Sequence, residues 1–226
     1  MLILWILIFL AGCTAKVSTV LPASSPKTLI IKQKPILFNS TRITLTQNYR
    51  KQHYGITSQS IQIVPQIIVL HWTAMESLQT VYNFFYSPLL NWRPELAPFG
   101  LLNVSSQFLV DRDGTIYQLM PSNWMARHVI GLDNLAIGIE NVGGKNDKQD
   151  LTYAQVNADA KLIRYLIQSY PTIHYLIGHY EYGRFKNTPL WQEKNPHYFT
   201  FKSDPGPIFM KQVRAQVADL NLKSNP

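Results

Sequence analysis

Residues 66–74 read Gln-Ile-Ile-Val-Leu-His-Trp-Thr-Ala, and this stretch decides the fold. Its four apolar, mostly β-branched residues follow Pro65 and run into a polar turn, which is typical of a strand buried on both faces. His71 then stands at the carboxyl end of the strand, the edge where open α/β sheets hold ligands and metals. Taken alone, His71 favours the simpler interpretation of a core histidine bonded to a backbone carbonyl, so its function depends on partners elsewhere in the chain.

The composition fits one domain with a substantial core. The chain has 226 residues, of which 46% are hydrophobic and 15% are charged. This length allows one domain of ordinary size or two very small ones. The formal net charge of +8 suits an anionic partner. Because no dense Lys/Arg run or RNA-binding signature is present, we expect no nucleic-acid partner.

The N-terminal residues predict the cellular location. Residues 1–10 are apolar but too few to span a bilayer, and they fit the apolar region of a signal peptide. The string Leu-Ala-Gly-Cys at 10–13 resembles a bacterial lipobox, in which the cysteine becomes the lipidated first residue. We therefore expect a signal peptide over 1–12 and a lipid-anchored envelope protein attached through Cys13. Thr14, where some lipoproteins have Asp, favours the outer membrane, facing the periplasm.

Further strands are predicted along the chain. An Asp-Gly turn between two β-prone runs predicts a hairpin over residues 107–119. Residues 135–140 and 175–179 are short apolar runs, and each ends in an ionisable residue. Alternation over residues 43–45 allows a short edge strand, and the polar neighbours of His53 indicate a surface position.

Helical patterns alternate with these strands. Residues 76–86 pair apolar side chains at helical spacing, Thr152 and Gln155 form a capping-box pattern, and a last amphipathic helix follows residue 207. This alternation predicts an α/β fold, with a single mixed β-sheet, helices packed on both faces and the functional site at the strand ends. The predicted segments are the signal peptide at 1–12, a lipid-anchored tether at 13–35, an N-terminal extension packing on the domain at 36–60 and the catalytic domain at 61–222.

Ionisable residues collect at three strand ends, as His71, Glu140 and His179. Two imidazoles and one carboxylate form a ligand set for catalytic zinc, which leaves the fourth position to water. A carboxylate outside the coordination shell is then needed as a base, and a cation is useful where the oxyanion develops. Glu140 and Lys202 fit those two roles. Asp204, in an Asp-Pro-Gly turn, is a further carboxylate and is alternatively a helix N-cap.

Five motifs together resemble the zinc-dependent N-acetylmuramoyl-L-alanine amidases of the amidase-2 / peptidoglycan-recognition-protein family. The motifs are Val-Leu-His-Trp-Thr-Ala (69–74), Phe-Leu-Val-Asp-Arg-Asp-Gly-Thr-Ile-Tyr-Gln-Leu (108–119), Ile-Gly-Ile-Glu (137–140), Ile-Gly-His (177–179) and Lys-Ser-Asp-Pro-Gly-Pro (202–207). Each is weak alone, but their order is specific. The resemblance implies hydrolysis of the amide between N-acetylmuramic acid and L-alanine in peptidoglycan.

The resemblance also implies roles for individual residues. It implies that His71, His179 and Asp204 hold one Zn²⁺. Glu140 matches the position of the family's general base, and Lys202 that of its oxyanion-stabilising lysine.

Two regions depart from the family pattern. The family often carries Trp-His-Ala-Gly before the glutamate strand, whereas residues 126–129 here read Ala-Arg-His-Val. His128 matches and is carried over as a substrate contact, and we assign Arg127 and Trp72 to substrate binding as well. The aromatic segment at 180–201, hereafter the insert, is expected to form a wall or lid over the cleft. Its His197 is a rival metal ligand.

Three functions are compatible with these patterns. We favour a monomeric cell-wall amidase that acts on peptidoglycan or muropeptides. The second is a non-catalytic peptidoglycan-binding lipoprotein; members of that kind lose a zinc ligand, and here all three positions are filled. The third, a purely structural envelope lipoprotein, leaves the strand-end histidines unexplained.

Overall fold

A computed structural model describes residues 29–226, so the predicted signal peptide and Cys13 lie outside the described residues. Six strands form one mixed sheet in the order β1-β4-β3-β5-β2-β6. The strands are β1 (Ile31–Gln33), β2 (Ile67–Trp72), β3 (Phe108–Val110), β4 (Ile116–Gln118), β5 (Ala136–Asn141) and β6 (Tyr175–Gly178). The neighbours β3, β5, β2 and β6 are mutually parallel, so their carboxyl ends meet at one edge of the sheet.

Strand β2 lies at the centre of the core, as its sequence predicts. All six of its residues are buried. In the register, His71 lies opposite Glu140 of β5, and Leu70 lies opposite Gly178 at the end of β6. The strand therefore delivers His71 to the same edge at which β6 delivers His179.

Helices cover both faces of the sheet, which confirms the predicted fold class. They are α1 (Ser40–Tyr49), α2 (Leu78–Tyr86), α3 (Tyr153–Ser169) and α4 (Pro207–Gln216). Helices α3 and α4 pack on the face that carries Leu70, whereas α2 and the end of α1 pack on the face that carries His71. Within residues 29–226, no helix combines the length and apolar character needed to cross a membrane.

Local sequence signals account for the capped helix and the hairpin. Thr152 Oγ accepts the N–H of Gln155 at 3.2 Å, and the Gln155 side chain accepts the N–H of Thr152 at 2.9 Å, so the predicted capping box begins α3. Strands β3 and β4 pair antiparallel around the turn that contains Gly114, where φ is +82°. A positive φ of this size favours glycine, as the Asp-Gly signal indicates.

The N-terminal segment differs from the prediction at two places. Ile31–Gln33, inside the predicted tether, forms β1 and pairs parallel with β4. Residues 43–45, where the alternation of apolar residues allows an edge strand, lie within α1 instead. That helix begins after Asn39, whose side chain accepts the N–H of Arg42 at 3.1 Å. The local cap and the packing of α1 outweigh the short alternation of apolar residues.

The prediction that His53 is exposed is wrong. Its side chain is fully buried, with Nδ1 2.9 Å from the Glu193 carboxylate and Nε2 2.9 Å from the carbonyl oxygen of Phe99. Its polar sequence neighbours gave no sign of these two partners, which are distant along the chain.

Helix α3 holds a buried carboxyl group, Asp159, against β5. Asn141 Nδ2 donates to Asp159 Oδ2 at 3.0 Å, while Oδ1 has no hydrogen-bond partner. Burial raises the pKa of Asp159 from 3.8 to about 8. Between these two values the folded protein holds a proton that the unfolded chain releases, so this group favours folding less as the pH rises.

Asp159→Asn should therefore remove a pH-dependent part of the stability. The contribution of Asp159 to the free energy of unfolding should fall by about 1.4 kcal/mol for each pH unit between the two pKa values. Urea unfolding of both proteins at pH 5 and pH 8 measures the effect, and the variant should gain stability relative to the wild type at the higher pH. An equal difference at both pH values would show that the carboxyl group titrates normally.

Candidate active site

The carboxyl ends of β2 and β6 bring His71 and His179 together, and the turn before α4 adds Asp204. His71 Nδ1 lies 3.0 Å from His179 Nδ1, and Asp204 Oδ2 lies 3.1 Å from each of these nitrogens. All three residues are buried. Among residues 29–226, this is the one group of three or more His, Cys, Asp or Glu side chains placed to share a metal ion.

Backbone contacts hold the Asp204 turn against the end of β6. The N–H of Tyr180 donates to the carbonyl oxygen of Asp204 at 2.9 Å. The N–H of Gly178 donates to the buried carboxylate of Glu181 at 2.9 Å, and Glu181 also pairs with Arg214 of α4. Asp204 is thus fixed to the end of β6, which supplies His179, although the two residues are distant in sequence.

The donor set fits a zinc ion. Two imidazole nitrogens and one carboxylate oxygen are a three-ligand set typical of catalytic Zn²⁺. Ligand atoms at about 2.0–2.1 Å from a tetrahedral ion lie roughly 3.4 Å from one another. The observed separations of 3.0–3.1 Å are within a few tenths of an ångström of that spacing.

Charge and burial favour a neutral His71 and an ionised Asp204. Burial, together with the neighbouring His179, lowers the pKa of His71 to about 4. Although burial opposes it, the charge and hydrogen bonds of His179 and His71 hold the pKa of Asp204 well below its usual range. Near neutral pH, His71 is thus neutral and Asp204 is ionised, as metal coordination requires.

Glu140 and Lys202 lie beside the three potential ligands. Glu140 Oε2 is buried and has no hydrogen-bond partner. Burial and the charge of Asp204 raise the pKa of Glu140 well above its ordinary value, while Lys202 opposes the shift. Burial also lowers the pKa of Lys202. A carboxyl group with a raised pKa and an unpaired oxygen is suited to proton transfer.

One cavity of about 340 Å³ contains all of these groups. Its polar end is lined by His71, His179, Asp204, Glu140 and Lys202. The apolar side chains that line it include Met75, Val81, Phe84, Phe85, Leu96 and Val104. A few converging polar groups beside an apolar lining are typical of a small-molecule or peptide site.

Trp72 also lines this cavity, where it was predicted to bind substrate. It is only 7% exposed, because its ring packs closely on Gly144. Gly144 has a φ of +76°, and a Cβ there would collide with the indole ring. The structure places Trp72 in the wall of the cavity.

Arg127, which the sequence assigns to substrate binding, lines the cavity, and its guanidinium group is bonded to protein acceptors. The residue is 2% exposed, and Nη2 donates to the hydroxyl of Tyr198 at 2.9 Å. Its other acceptors are the carbonyl oxygens of Leu96, Phe99, Gly100 and Leu102, at 2.6–3.3 Å. With both terminal nitrogens bonded to the protein, Arg127 holds the 96–102 loop against the insert.

His128 contacts the ligand cluster through a hydrogen bond with His71. Its Nδ1 lies 3.0 Å from His71 Nε2, and its Nε2 lies 3.4 Å from the carbonyl oxygen of Ala136. Burial and the neighbouring histidines lower the pKa of His128 well below 6.5, so its ring is neutral. Both ring nitrogens face protein groups, and His128 also lines the cavity, so its contact with substrate stays a prediction.

The insert forms one wall of the cavity and packs on the N-terminal extension. Tyr198 stacks on Phe99, with ring centroids 4.1 Å apart and 11° between the planes. Glu193 pairs with His53, and Tyr198 lines the cavity. His197 is exposed and outside the ligand cluster, so its prediction as a rival ligand is wrong.

The sequence-based interpretation missed two residues that position His128. The carboxylate of Asp133 accepts the N–H groups of His128 and Val129, both at 2.7 Å. Gly138 lies beneath the His128 ring, and a Cβ there would come within 2.9 Å of its Cγ and Nδ1. The signal available was the glycine inside the Ile-Gly-Ile-Glu strand, since an interior strand glycine marks a close approach.

The fold and the site together fit a hydrolase, because a buried carboxyl group and a lysine line the same cavity as the three-ligand cluster. The sequence then gives the family. The profile described as N-acetylmuramoyl-L-alanine amidase (Amidase_2) matches residues 45–207, a span that contains every site residue above. The chain belongs to this amidase family, whose reaction is hydrolysis of the bond between N-acetylmuramic acid and L-alanine in peptidoglycan fragments. This confirms the family resemblance of the five motifs.

Similar chains occur among solved structures. The amidase LysC from Clostridium intestinale URNW is 25% identical, with 73% of this chain and 90% of that chain covered and a TM-score of 0.49. A selenomethionine derivative of AmpD is 22% identical, with 82% and 93% covered and a TM-score of 0.50, and it shows the same fold. AmiD from E. coli, in complex with anhydro-N-acetylmuramic acid-L-Ala-D-gamma-Glu-L-Lys, is 20% identical, with 71% and 60% covered and a TM-score of 0.48. A search of curated proteins gives no match.

Proposed function

We propose that the protein is a zinc-dependent N-acetylmuramoyl-L-alanine amidase in which His71, His179 and Asp204 hold one Zn²⁺. The observation that supports this proposal is the convergence of Nδ1, Nδ1 and Oδ2 within 3.1 Å at the buried end of the cavity. When bound, zinc polarises the scissile carbonyl group and lowers the pKa of a water molecule to about 7.

Glu140 is the general base in this proposal. It lies next to His71 in the sheet register, and its buried Oε2 has no competing hydrogen bond. Its carboxylate takes the proton of the attacking water and passes it to the departing amine of L-alanine. Lys202, which lines the same cavity, donates to the oxygen of the scissile carbonyl group as negative charge develops there.

The substrate class follows from the family and from the charge around the cavity. Stem peptides of peptidoglycan carry carboxylates, and Arg93 and Lys202 both line the cavity. The net charge of +8 also favours an anionic polymer. We propose peptidoglycan or soluble muropeptides as substrates.

Purified full-length protein tests this function directly. We expect a soluble muramyl peptide to yield a free L-alanine amino terminus, detected by mass spectrometry of the released peptide. A chelator should stop the release and added Zn²⁺ should restore it. Hydrolysis that survives removal of all metal would contradict zinc dependence. Binding of muropeptide without release, in the presence of zinc, would support the non-catalytic alternative.

We further propose that the enzyme is a monomer anchored to the outer membrane through lipidated Cys13, facing the periplasm. The support is the lipobox at residues 10–13 and a ligand set supplied entirely by one chain. In cells, Cys13→Ser should abolish incorporation of labelled palmitate and move the protein out of the membrane fraction. Unchanged membrane attachment of the variant would exclude this anchor.

A further inference from the structure

We propose that His128 is a positioning residue that holds His71 in its metal-binding tautomer, in a slot that Gly138 keeps open. This inference rests on the proposed function, because it takes His71 Nδ1 as a zinc ligand. It is a role distinct from the contact with substrate that the sequence predicts for His128.

The contact between the two rings is a directed hydrogen bond. His71 Nε2 and His128 Nδ1 are 3.0 Å apart, and the rings are almost perpendicular, with 86° between their planes. Two imidazole nitrogens at this distance share one proton, so one nitrogen is the donor and the other the acceptor.

The carbonyl group of Ala136 decides the direction of this bond. A carbonyl oxygen only accepts, so His128 Nε2, 3.4 Å away, carries the proton of its neutral ring. Nδ1 of His128 is then left as an acceptor for the Nε2–H of His71. His71 in turn has a lone pair on Nδ1, the atom that faces His179 and Asp204.

Nδ1 of His128, as an acceptor, opposes the attraction of Asp204 for the proton of His71. Asp204 Oδ2 lies 3.1 Å from His71 Nδ1 and would attract a proton to that nitrogen. A His71 ring protonated at Nδ1 must give up that proton before Nδ1 can bind a metal. The His128 acceptor favours the other tautomer and so prepares Nδ1 for coordination.

Two features fix the His128 ring in place. Gly138 of β5 provides the space beneath it, since a Cβ would approach the ring to 2.9 Å. Asp133 binds the backbone N–H of His128, and the hydroxyl of Tyr54 donates to the same carboxylate at 3.0 Å. The N-terminal extension, through Tyr54, thus supports the loop behind the ligand His71.

A matched pair of variants, His128→Asn and His128→Leu, tests the proposal. The two replacements have similar volumes, but only Asn places an acceptor oxygen near the position of His128 Nδ1. Zinc affinity, measured by competition with a chromophoric chelator, should fall by about 10–100-fold in H128L, as is typical for loss of a partner behind a metal ligand. H128N should remain close to the wild type.

The tautomer of His71 is the second quantity to measure. Long-range ¹H–¹⁵N NMR of the zinc-free protein distinguishes His71 protonated at Nε2 from His71 protonated at Nδ1. We expect a larger Nε2–H population in the wild type and H128N than in H128L. Gly138→Ala displaces the His128 ring without removing it. It should lower the Nε2–H population of His71, as H128L does, and it replaces H128L in the comparison if that variant does not fold.

Two outcomes would overturn the proposal. Equal His71 tautomer populations in all four proteins would show that His128 does not set the protonation site. Equal loss of zinc affinity in H128N and H128L would assign His128 a packing role. A wild-type protein that binds no zinc would instead contradict the proposed function, whereas the NMR comparison would still test the role of His128.

Discussion

Glu140→Gln should lower kcat for muramyl-peptide hydrolysis by about 10²–10⁴-fold, the usual contribution of a general base. Gln retains the size and polarity of Glu but cannot take a proton from water. Because Glu140 lies outside the ligand triangle formed by His71, His179 and Asp204, zinc content should not change. Steady-state kinetics together with metal analysis of the purified variant measure both quantities.

The same substitution at Glu76 provides a matched control. Glu76 forms an exposed ion pair with Lys145 at 2.9 Å, and it does not line the cavity. Exposed pairs of this kind contribute at most about 1 kcal/mol, so Glu76→Gln should retain normal kcat and zinc content. Normal turnover in E140Q would assign the proton transfer to another group, and loss of zinc from E140Q would make Glu140 a ligand.

The site residues that could be predicted from the sequence are those at the carboxyl ends of strands. The apolar runs before His71, Glu140 and His179 each indicate a buried strand, and parallel strands end at the same edge. The position of each side chain then follows from the local pattern and the fold class. Asp204 was found by family resemblance, because nothing in its turn indicates contact with β6.

Roles that depend on distant partners were not predictable in this way. His53 looked like a surface residue because its neighbours are polar, yet its partner is Glu193. His128 was correctly placed at the site, but its role depends on the carbonyl oxygen of Ala136, which any residue at that position would supply. Backbone acceptors leave no mark on the sequence, so only the structure shows which nitrogen they engage.

Arg127→Met should lower the free energy of unfolding by about 3–5 kcal/mol, because several buried carbonyl groups lose a charged donor at once. The guanidinium group also lies over the ring of Tyr49, 4.9 Å from its centroid, and so connects α1 to the 96–102 loop. Urea unfolding measures the loss, and limited proteolysis within the loop should show faster cleavage.

Arg127→Lys separates the geometry of the side chain from its charge. A lysine retains the positive charge, but its single ammonium group cannot reach acceptors on both sides as the planar guanidinium group does. We expect a stability between those of R127M and the wild type. Arg93→Met is the stability control just before this loop, since Arg93 is partly exposed, pairs with Glu95 and should change stability by at most about 0.5 kcal/mol.

The kinetics of these variants decide between the two roles considered for Arg127. If Arg127 contacts substrate, R127K should raise KM at unchanged stability. If it holds the loop against Tyr198, stability and resistance to proteolysis should fall first. KM should then rise only because the cavity wall loosens. Variants of Arg127 and of Tyr198 that lose the same free energy of unfolding should therefore show the same rise in KM. A rise in KM in R127K without any loss of stability would restore the substrate-binding interpretation.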